Sequence, residues 1–397
     1  MDLLGWLIFL FALLFSVMLH EAGHFATAKY FGMKATRFFV GFGPTVWSRT
    51  RGETEYGIKA LPVGGFVKII GMTSLEDVDP RDEPRAFRRA PGWQRVIVLV
   101  AGSFMHFVLA FVLIFALAIS IGIEDGNTTQ LGTVAPCVPA SVTALNNNVA
   151  CTSANAKSPA SAAGLRVGDR VTSFNGAKVS TYDQLTTAIK QAKAGEPVTL
   201  TVQRAGQPLT LHTTLASVPG RAGGYLGIAG STVFESASPL RSAQYAGTGF
   251  WQVLSGSAQA LGQLPGALPD LFAKDRASTP AGNVSSIVGA ANATGQAVAA
   301  HVGWQNKVSF IVLLIASLNV FVGAFNLLPL LPLDGGHIAI VIAERIRARV
   351  ARLRRRPDPG LLDYQKLLPL SMSIFLILVV VGLMLITADI LNPVSIG

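Results

Sequence analysis

The sequence predicts a polytopic α-helical membrane protein with about four transmembrane helices, a membrane-associated β-hairpin or sheet loop after the first, and an extracytoplasmic α/β domain between the second and third. Three observations predict it. Only 14% of the 397 residues are charged and half are hydrophobic, a balance unusual for a soluble chain. Four uncharged stretches account for that balance: Leu3 to Leu19, Val96 to Ile123, Val308 to Leu333 and Leu367 to Ala388. Each approaches or exceeds the roughly 17 to 25 residues that cross a bilayer as helix. The basic residues, finally, are unevenly placed: of the 32 lysines and arginines, twelve fall between Lys29 and Arg95 and eight between Arg345 and Lys366. By the positive-inside rule those two segments face the cytoplasm, and the long segment between Gly122 and Lys307 lies outside with both termini. The net charge of +10 therefore reads as topology and as contact with membrane lipid, and no nucleic-acid partner is expected.

The elements follow in order. Residues 1–31 form the first span; it lacks a basic leader and a small-residue cleavage site, so it is retained. Residues 32–94 form a cytoplasmic-side β-loop and linker. Phe38 to Pro44, Glu55 to Ala60 and Gly64-Gly65-Phe66-Val67-Lys68-Ile69-Ile70 alternate glycine with β-formers and read as short strands, either a solvated cytoplasmic hairpin or, with apolar tips next to the membrane, a sheet dipping towards the active site. Residues 72–90, acidic then basic with Pro80 and Pro84, look like a mobile surface linker. The second span takes 95–123, and 124–218 is a globular unit. There Ala163-Gly164-Leu165-Arg166-Val167-Gly168-Asp169 precedes a helical run near Tyr182 to Gln191 and two alternating strands, a pattern resembling a PDZ domain of the circularly arranged bacterial type. Cys137 and Cys151 lie in this segment, either as a small disulfide loop or as two thiols. Residues 219–306 form an extracytoplasmic helical linker region. Its amphipathic stretch Gly249 to Leu264 would lie along the membrane face or pack on the PDZ-like unit. The third span takes 307–339. A basic cytoplasmic segment, 340–366, sets its arginines near anionic headgroups, and 367–397 closes the chain with the fourth span and tail.

Chemistry concentrates at the end of the first span. On a helix, residues four apart share a face, so His20 and His24 of His20-Glu21-Ala22-Gly23-His24 can offer two imidazoles to one metal ion with Glu21 beside it. That arrangement suits catalytic zinc, which takes three protein ligands and keeps a position for water. Ionisable residues inside a span are costly and mark function. The third ligand is expected at Asp334, in Asn326-Leu327-Leu328-Pro329-Leu330-Leu331-Pro332-Leu333-Asp334-Gly335-Gly336-His337. The first and third of four alternating spans run the same way, so their C-terminal ends share a membrane face. His106, alone in the second span, is expected to bond a neighbouring helix, and His337 to orient its turn or a ligand.

Taken together these motifs resemble the site-2 protease family of intramembrane zinc metalloproteases, in particular its bacterial regulator-of-sigma-factor type with one PDZ domain. H-E-x-x-H, the G-F-G-P and G-G-F-V-K loops, the PDZ-like unit and N-x-x-P-x-x-P-L-D-G occur in the family's order. The resemblance implies one catalytic Zn2+ on His20, His24 and Asp334, Glu21 as catalytic base, and substrate contacts from Asn326 and the Gly64, Gly65 and Phe66 loop. It implies a multi-pass enzyme of the bacterial cytoplasmic membrane that cleaves transmembrane segments of single-span proteins, such as anti-sigma factors already trimmed by another protease. The PDZ-like unit would filter substrates by size or bind a newly exposed end. The second span departs from the family's A-G-P-x-x-N, reading Ala101-Gly102-Ser103-Phe104-Met105-His106. A reading from another class is a catalytically inactive scaffold that recruits partners through the PDZ-like domain.

Overall fold

The computed structural model describes residues 3–73, 76–142, 145, 151, 152, 155–221, 223–273, 276, 279, 284–300 and 302–393. In chain order the elements are α1 (Leu3–Tyr30), β1 (Ala35–Arg51), β2 (Thr54–Ile69), α2 (Gly92–Ser120), β3 (Ile123–Asp125) and β4 (Leu131–Val134). There follow α3 (Pro159–Ala162), β5 (Arg170–Phe174), β6 (Ala177–Lys178), α4 (Tyr182–Gln191), β7 (Pro197–Arg204), β8 (Gln207–Thr214), β9 (Ile228–Gly230) and β10 (Val233–Glu235). The chain ends with α5 (Pro239–Ala267), α6 (Ile287–Ala299), α7 (Trp304–Asn326), α8 (Asp334–Leu353) and α9 (Tyr364–Leu391). Ile121–Ala237 form one compact unit, and the segments before and after it form the other.

Among the described residues four helices are long and apolar enough to cross a membrane: α1, α2, α7 and α9. The molecule is thus a multi-pass helical membrane protein. Small side chains let the helices approach closely, as membrane packing requires. Ala110 of α2, Ala316 of α7 and Ala246 of α5 share one buried cluster with Ile114 and Val320. The amphipathic stretch 249–264 is therefore part of a bundle helix, not a helix lying free along the membrane face: Phe250 meets the Phe107 ring at 5.6 Å. α7 stops at Asn326, eight residues before Asp334, because Pro329 and Pro332 lack the N–H a helix would need.

β1 and β2 form an antiparallel ribbon whose strands fold back on themselves. Residues 35–40 pair with 65–69 on one side and with 55–58 on the other, while 45–51 pair with 54–59. The bends fall at glycines with φ of 83° at Gly41 and 135° at Gly64, backbone that a side chain would strain. Residues 72–90 are not a loose linker where they are described. Phe87 N–H donates to the Ile70 carbonyl (2.9 Å) and Arg88 N–H to that of Gly71 (3.1 Å), and Phe87 is buried beside Val98 and Leu99 of α2. An apolar anchor and backbone pairing thus override the mobility that composition suggests. Arg85 grips Glu53 with both guanidinium nitrogens (2.7 and 2.8 Å), and Lys29 joins at 2.5 Å. Arg85 first, then Lys29, hold the Glu53 carboxyl down to about 2.

In the second unit β6, β5, β7 and β8 form an antiparallel sheet covering a core of Leu131, Val171, Leu185, Leu200, Leu215 and Leu226. The Gly168-Asp169 turn is fixed by Asp169, which pairs with Arg204 (2.7 and 2.8 Å) and accepts the Arg166 N–H at 2.8 Å. Cys137 and Cys151 are joined as a disulfide, the first of the two alternatives left by the sequence.

Candidate metal centre

α1 carries His20 and His24 one turn apart, and their Nε2 atoms lie 3.0 Å from each other. Asp334 opens α8, and its Oδ2 lies 3.3 Å from each of those nitrogens. The first turn of α8 can come this close because Gly335 and Gly336 lie directly on the backbone of the preceding turn. A Cβ on Gly336 would stand 2.6 Å from the Leu330 carbonyl carbon. The three side chains are the group able to hold a metal ion found among the described residues.

The donor chemistry fits a cation. His24 Nδ1 lies 2.6 Å from the Val98 carbonyl oxygen of α2, which only accepts, so this nitrogen carries the proton and Nε2 presents a lone pair. That lone pair faces a second imidazole nitrogen and a buried carboxylate oxygen that has no hydrogen bond among the described residues. Imidazole nitrogens and a carboxylate oxygen brought this close among apolar helices suit a positive ion held between them. Their separations of 3.0, 3.3 and 3.3 Å match the roughly 3.3 Å edge of a tetrahedron whose ligands lie about 2.0–2.1 Å from zinc.

The walls of the cluster come from α2 and β2. Gly102 lies against both imidazoles: a Cβ there would stand 2.6 Å from His20 Cε1 and 2.7 Å from its Nε2, and would overlap His24 Nε2. Gly23 makes the reciprocal approach, 2.5 Å from such a Cβ to the Ala101 carbonyl oxygen. Glu21, beside the two histidines on α1, is held by β2: its Oε2 accepts the Val67 N–H at 2.9 Å. The strand holding Glu21 is therefore the one that carries Gly64, Gly65 and Phe66. Gly65 is pressed on Met18 of α1, and the Phe66 ring stacks on Phe39 at 5.7 Å.

Asn326 is the last residue of α7, and its side chain makes no hydrogen bond among the described residues. His106 does bridge helices: its Nδ1 lies 2.8 Å from Asn319 Oδ1 of α7 and 3.0 Å from Ser16 Oγ of α1, and Ser16 in turn donates to Asn319. Sequence reading passed over Ser16 and Asn319. The available signal was position, since Ser16 precedes His20 by one turn and Asn319 precedes Asn326 by two. His337 turns away to α9, where its Nδ1 meets the Tyr364 hydroxyl at 2.7 Å.

The spanning helices and the His-His-Asp cluster define a membrane protein with a cluster able to hold a metal ion. The model of peptidase family M50 matches residues 8–356, and the chain belongs to that family. It is 37% identical to the zinc metalloprotease Rip1 of Mycobacterium tuberculosis, over 98% of each chain. Rip1 of Mycolicibacterium smegmatis is 36% identical over 99% of this chain and 98% of its own. The zinc metalloprotease RasP of Shouchella clausii is 27% identical over 85% and 90%. The family resemblance drawn from the motifs is borne out.

Proposed function

We propose that this chain is an intramembrane zinc metalloprotease that hydrolyses peptide bonds in transmembrane segments of single-span membrane proteins. His20, His24 and Asp334 hold one Zn2+, and Glu21 is the catalytic base. The observation carrying the reading is the convergence of two imidazole nitrogens and a carboxylate oxygen, 3.0 to 3.3 Å apart, at the end of a spanning helix. Zinc held by His20, His24 and Asp334 would lower the pKa of a water to about 7 and polarise a carbonyl. Glu21 takes the proton of the attacking water and returns it to the leaving amine, and the Val67 amide orients its carboxylate for both transfers.

A substrate helix hides its carbonyls in its own hydrogen bonds and must be held extended to be cut. The edge of β2 at Gly64 to Val67 suits that task by strand addition, because 65–69 pair with 35–40 on one side and reach Glu21 on the other. The free amide of Asn326 serves as a second hold on substrate backbone. The domain partition is part of the proposal: 124–218 as an extracytoplasmic PDZ-like domain, with the metal towards the cytoplasm of a bacterial membrane. A groove of about 460 Å³ lined by Tyr182, Ile189, Lys190, Arg221, Tyr225 and Ile228 supports binding of an extended peptide end. A trimmed anti-sigma factor is the substrate class that fits this design.

The test uses the full chain in proteoliposomes with a single-span reporter. Glu21→Gln is expected to keep one zinc per chain and to abolish cleavage. Unchanged cleavage removes Glu21 from the mechanism, and zinc retention with no cleavage by the unaltered chain makes the protein a scaffold.

A further inference from the structure

The β1–β2 ribbon has two chemically different ends. Phe42, Val46, Leu61 and Val63 are exposed at one end, as side chains facing lipid would be. At the other end an open recess of about 1030 Å³ lies between the last turn of α1 and the ribbon's tight turn, lined by Lys29, Trp47, Arg49, Arg51, Glu53 and Tyr56. Trp47, Arg49 and Arg51 alternate along β1 and so share one face, with the backbones of the two arginines about 7 Å apart. Tyr56 lies across from Arg49 in register.

The recess carries excess positive charge. Its one carboxylate, Glu53, is already shared by Lys29 and Arg85. Arg49 and Arg51 are exposed and make no ion pair among the described residues. Two unneutralised arginines flanked by a tryptophan and a tyrosine leave an anion as the missing partner.

The depth of the recess says which anion. From Leu3 to Lys29, α1 rises about 39 Å, enough to pass through the roughly 30 Å hydrocarbon layer and reach the headgroups. The same level is marked by Tyr30, 84% exposed, and by Trp93 in the first turn of α2, which meets Phe31 at 5.3 Å. Tyrosine and tryptophan gather where a membrane meets water. With the apolar end of the ribbon in lipid, the basic end lies among phosphates.

We infer that this recess is a binding site for the phosphate headgroup of an anionic phospholipid, gripped by Arg49 and Arg51 between Trp47 and Tyr56. The site is independent of proteolysis. It binds lipid to the same ribbon that supplies the Val67 amide to Glu21.

The experiment uses the full chain as the Glu21→Gln variant, so lipid binding is read apart from cleavage. The detergent-purified protein is titrated with phosphatidylglycerol or phosphatidylcholine, and retained lipid is counted by native mass spectrometry. The first phosphatidylglycerol is expected to bind about thirtyfold more weakly to the Arg49→Gln/Arg51→Gln form, whereas Arg354→Gln/Arg356→Gln, in the basic run after α8, keeps it. Equal retention by the Arg49→Gln/Arg51→Gln form and its parent overturns the site. Displacement by millimolar inorganic phosphate makes it a free-anion site instead, and displacement by a soluble acidic peptide makes it a peptide site. Should the double variant misfold, brominated phosphatidylglycerol is expected to quench the unaltered chain more than Trp47→Phe, and equal quenching also overturns the assignment.

Discussion

Two polar clusters sit one helical turn apart on α1, and they are resolved in opposite ways. Around Ser16, each acceptor has a donor: the Ser16 hydroxyl and the His106 ring both reach Asn319 Oδ1, and the Asn319 amide donates to the Ile315 carbonyl at 2.8 Å. Around His20 and His24, two imidazole nitrogens and a carboxylate oxygen converge, and neither that oxygen nor His20 Nδ1 has a hydrogen bond among the described residues. The first cluster is complete without a ligand. The second leaves buried polar atoms unsatisfied in a geometry able to hold a cation. A buried polar cluster in a membrane therefore becomes informative about function through what it fails to satisfy, not through its presence alone.

The largest effect that sharpens this comparison is loss of a converging donor. Asp334→Asn replaces a carboxylate oxygen by a neutral amide, and zinc measured by atomic absorption is expected to fall below one tenth of an equivalent, with reporter cleavage falling to background. Full zinc content would break the assignment of the third ligand. Next comes Gly102→Ala. Alanine favours a helix over glycine by about 1 kcal/mol, so α2 itself should not suffer. The new methyl, 2.6 Å from His20 Cε1, pushes the imidazoles off their positions, and zinc affinity in a chelator competition is expected to drop about ten- to a hundredfold. Lost affinity in a still-folded protein would separate shaping of the site from stability.

How far the sequence could be read divides along the same line. His20 and His24 are legible because a four-residue step on a helix is a geometric fact of the chain, and Asp334 because alternating spans bring the same ends together. Their supports are tertiary. The Val98 carbonyl has no side-chain signature, and Gly102 looks like any glycine of a span until α1 is laid against it. The folding back of β1 and β2 follows from bends at single glycines rather than from a strand period, so a hairpin and a sheet read alike. The ordering of 83–90 depends on Phe87 finding a buried niche, which a run of charge conceals. Likewise the amphipathic face of α5 reads as a helix for the membrane surface or for the PDZ-like unit, because the partners it meets on α2 and α7 are far away in sequence.

Asn319→Leu attacks the satisfied cluster instead. It strands the Ser16 hydroxyl and the His106 ring among apolar helices, which should cost about 1–3 kcal/mol of stability in thermal unfolding. Zinc content is expected to stay at one equivalent, since no metal-facing atom is touched. If zinc falls with stability, the two clusters act as one network and the contrast between them fails.

The smallest effect comes from a third polar cluster on α1, satisfied by opposite charge and open to water. Glu53 is held between Arg85 and Lys29, and its carboxyl is lowered from 4.5 to about 2. A carboxylate with a depressed pKa contributes stability that is fully present above the unfolded value and is lost as pH falls through the folded value. The contribution should thus fade between pH 4.5 and about 2, and Glu53→Gln should flatten that part of the curve. Because these side chains are reached by solvent, the effect should stay below about 1 kcal/mol and shrink further in high salt. Thermal unfolding of both proteins at pH 7 and pH 3 measures it. An equal difference at the two pH values would mean that Glu53 holds the ribbon turn by shape and not by charge.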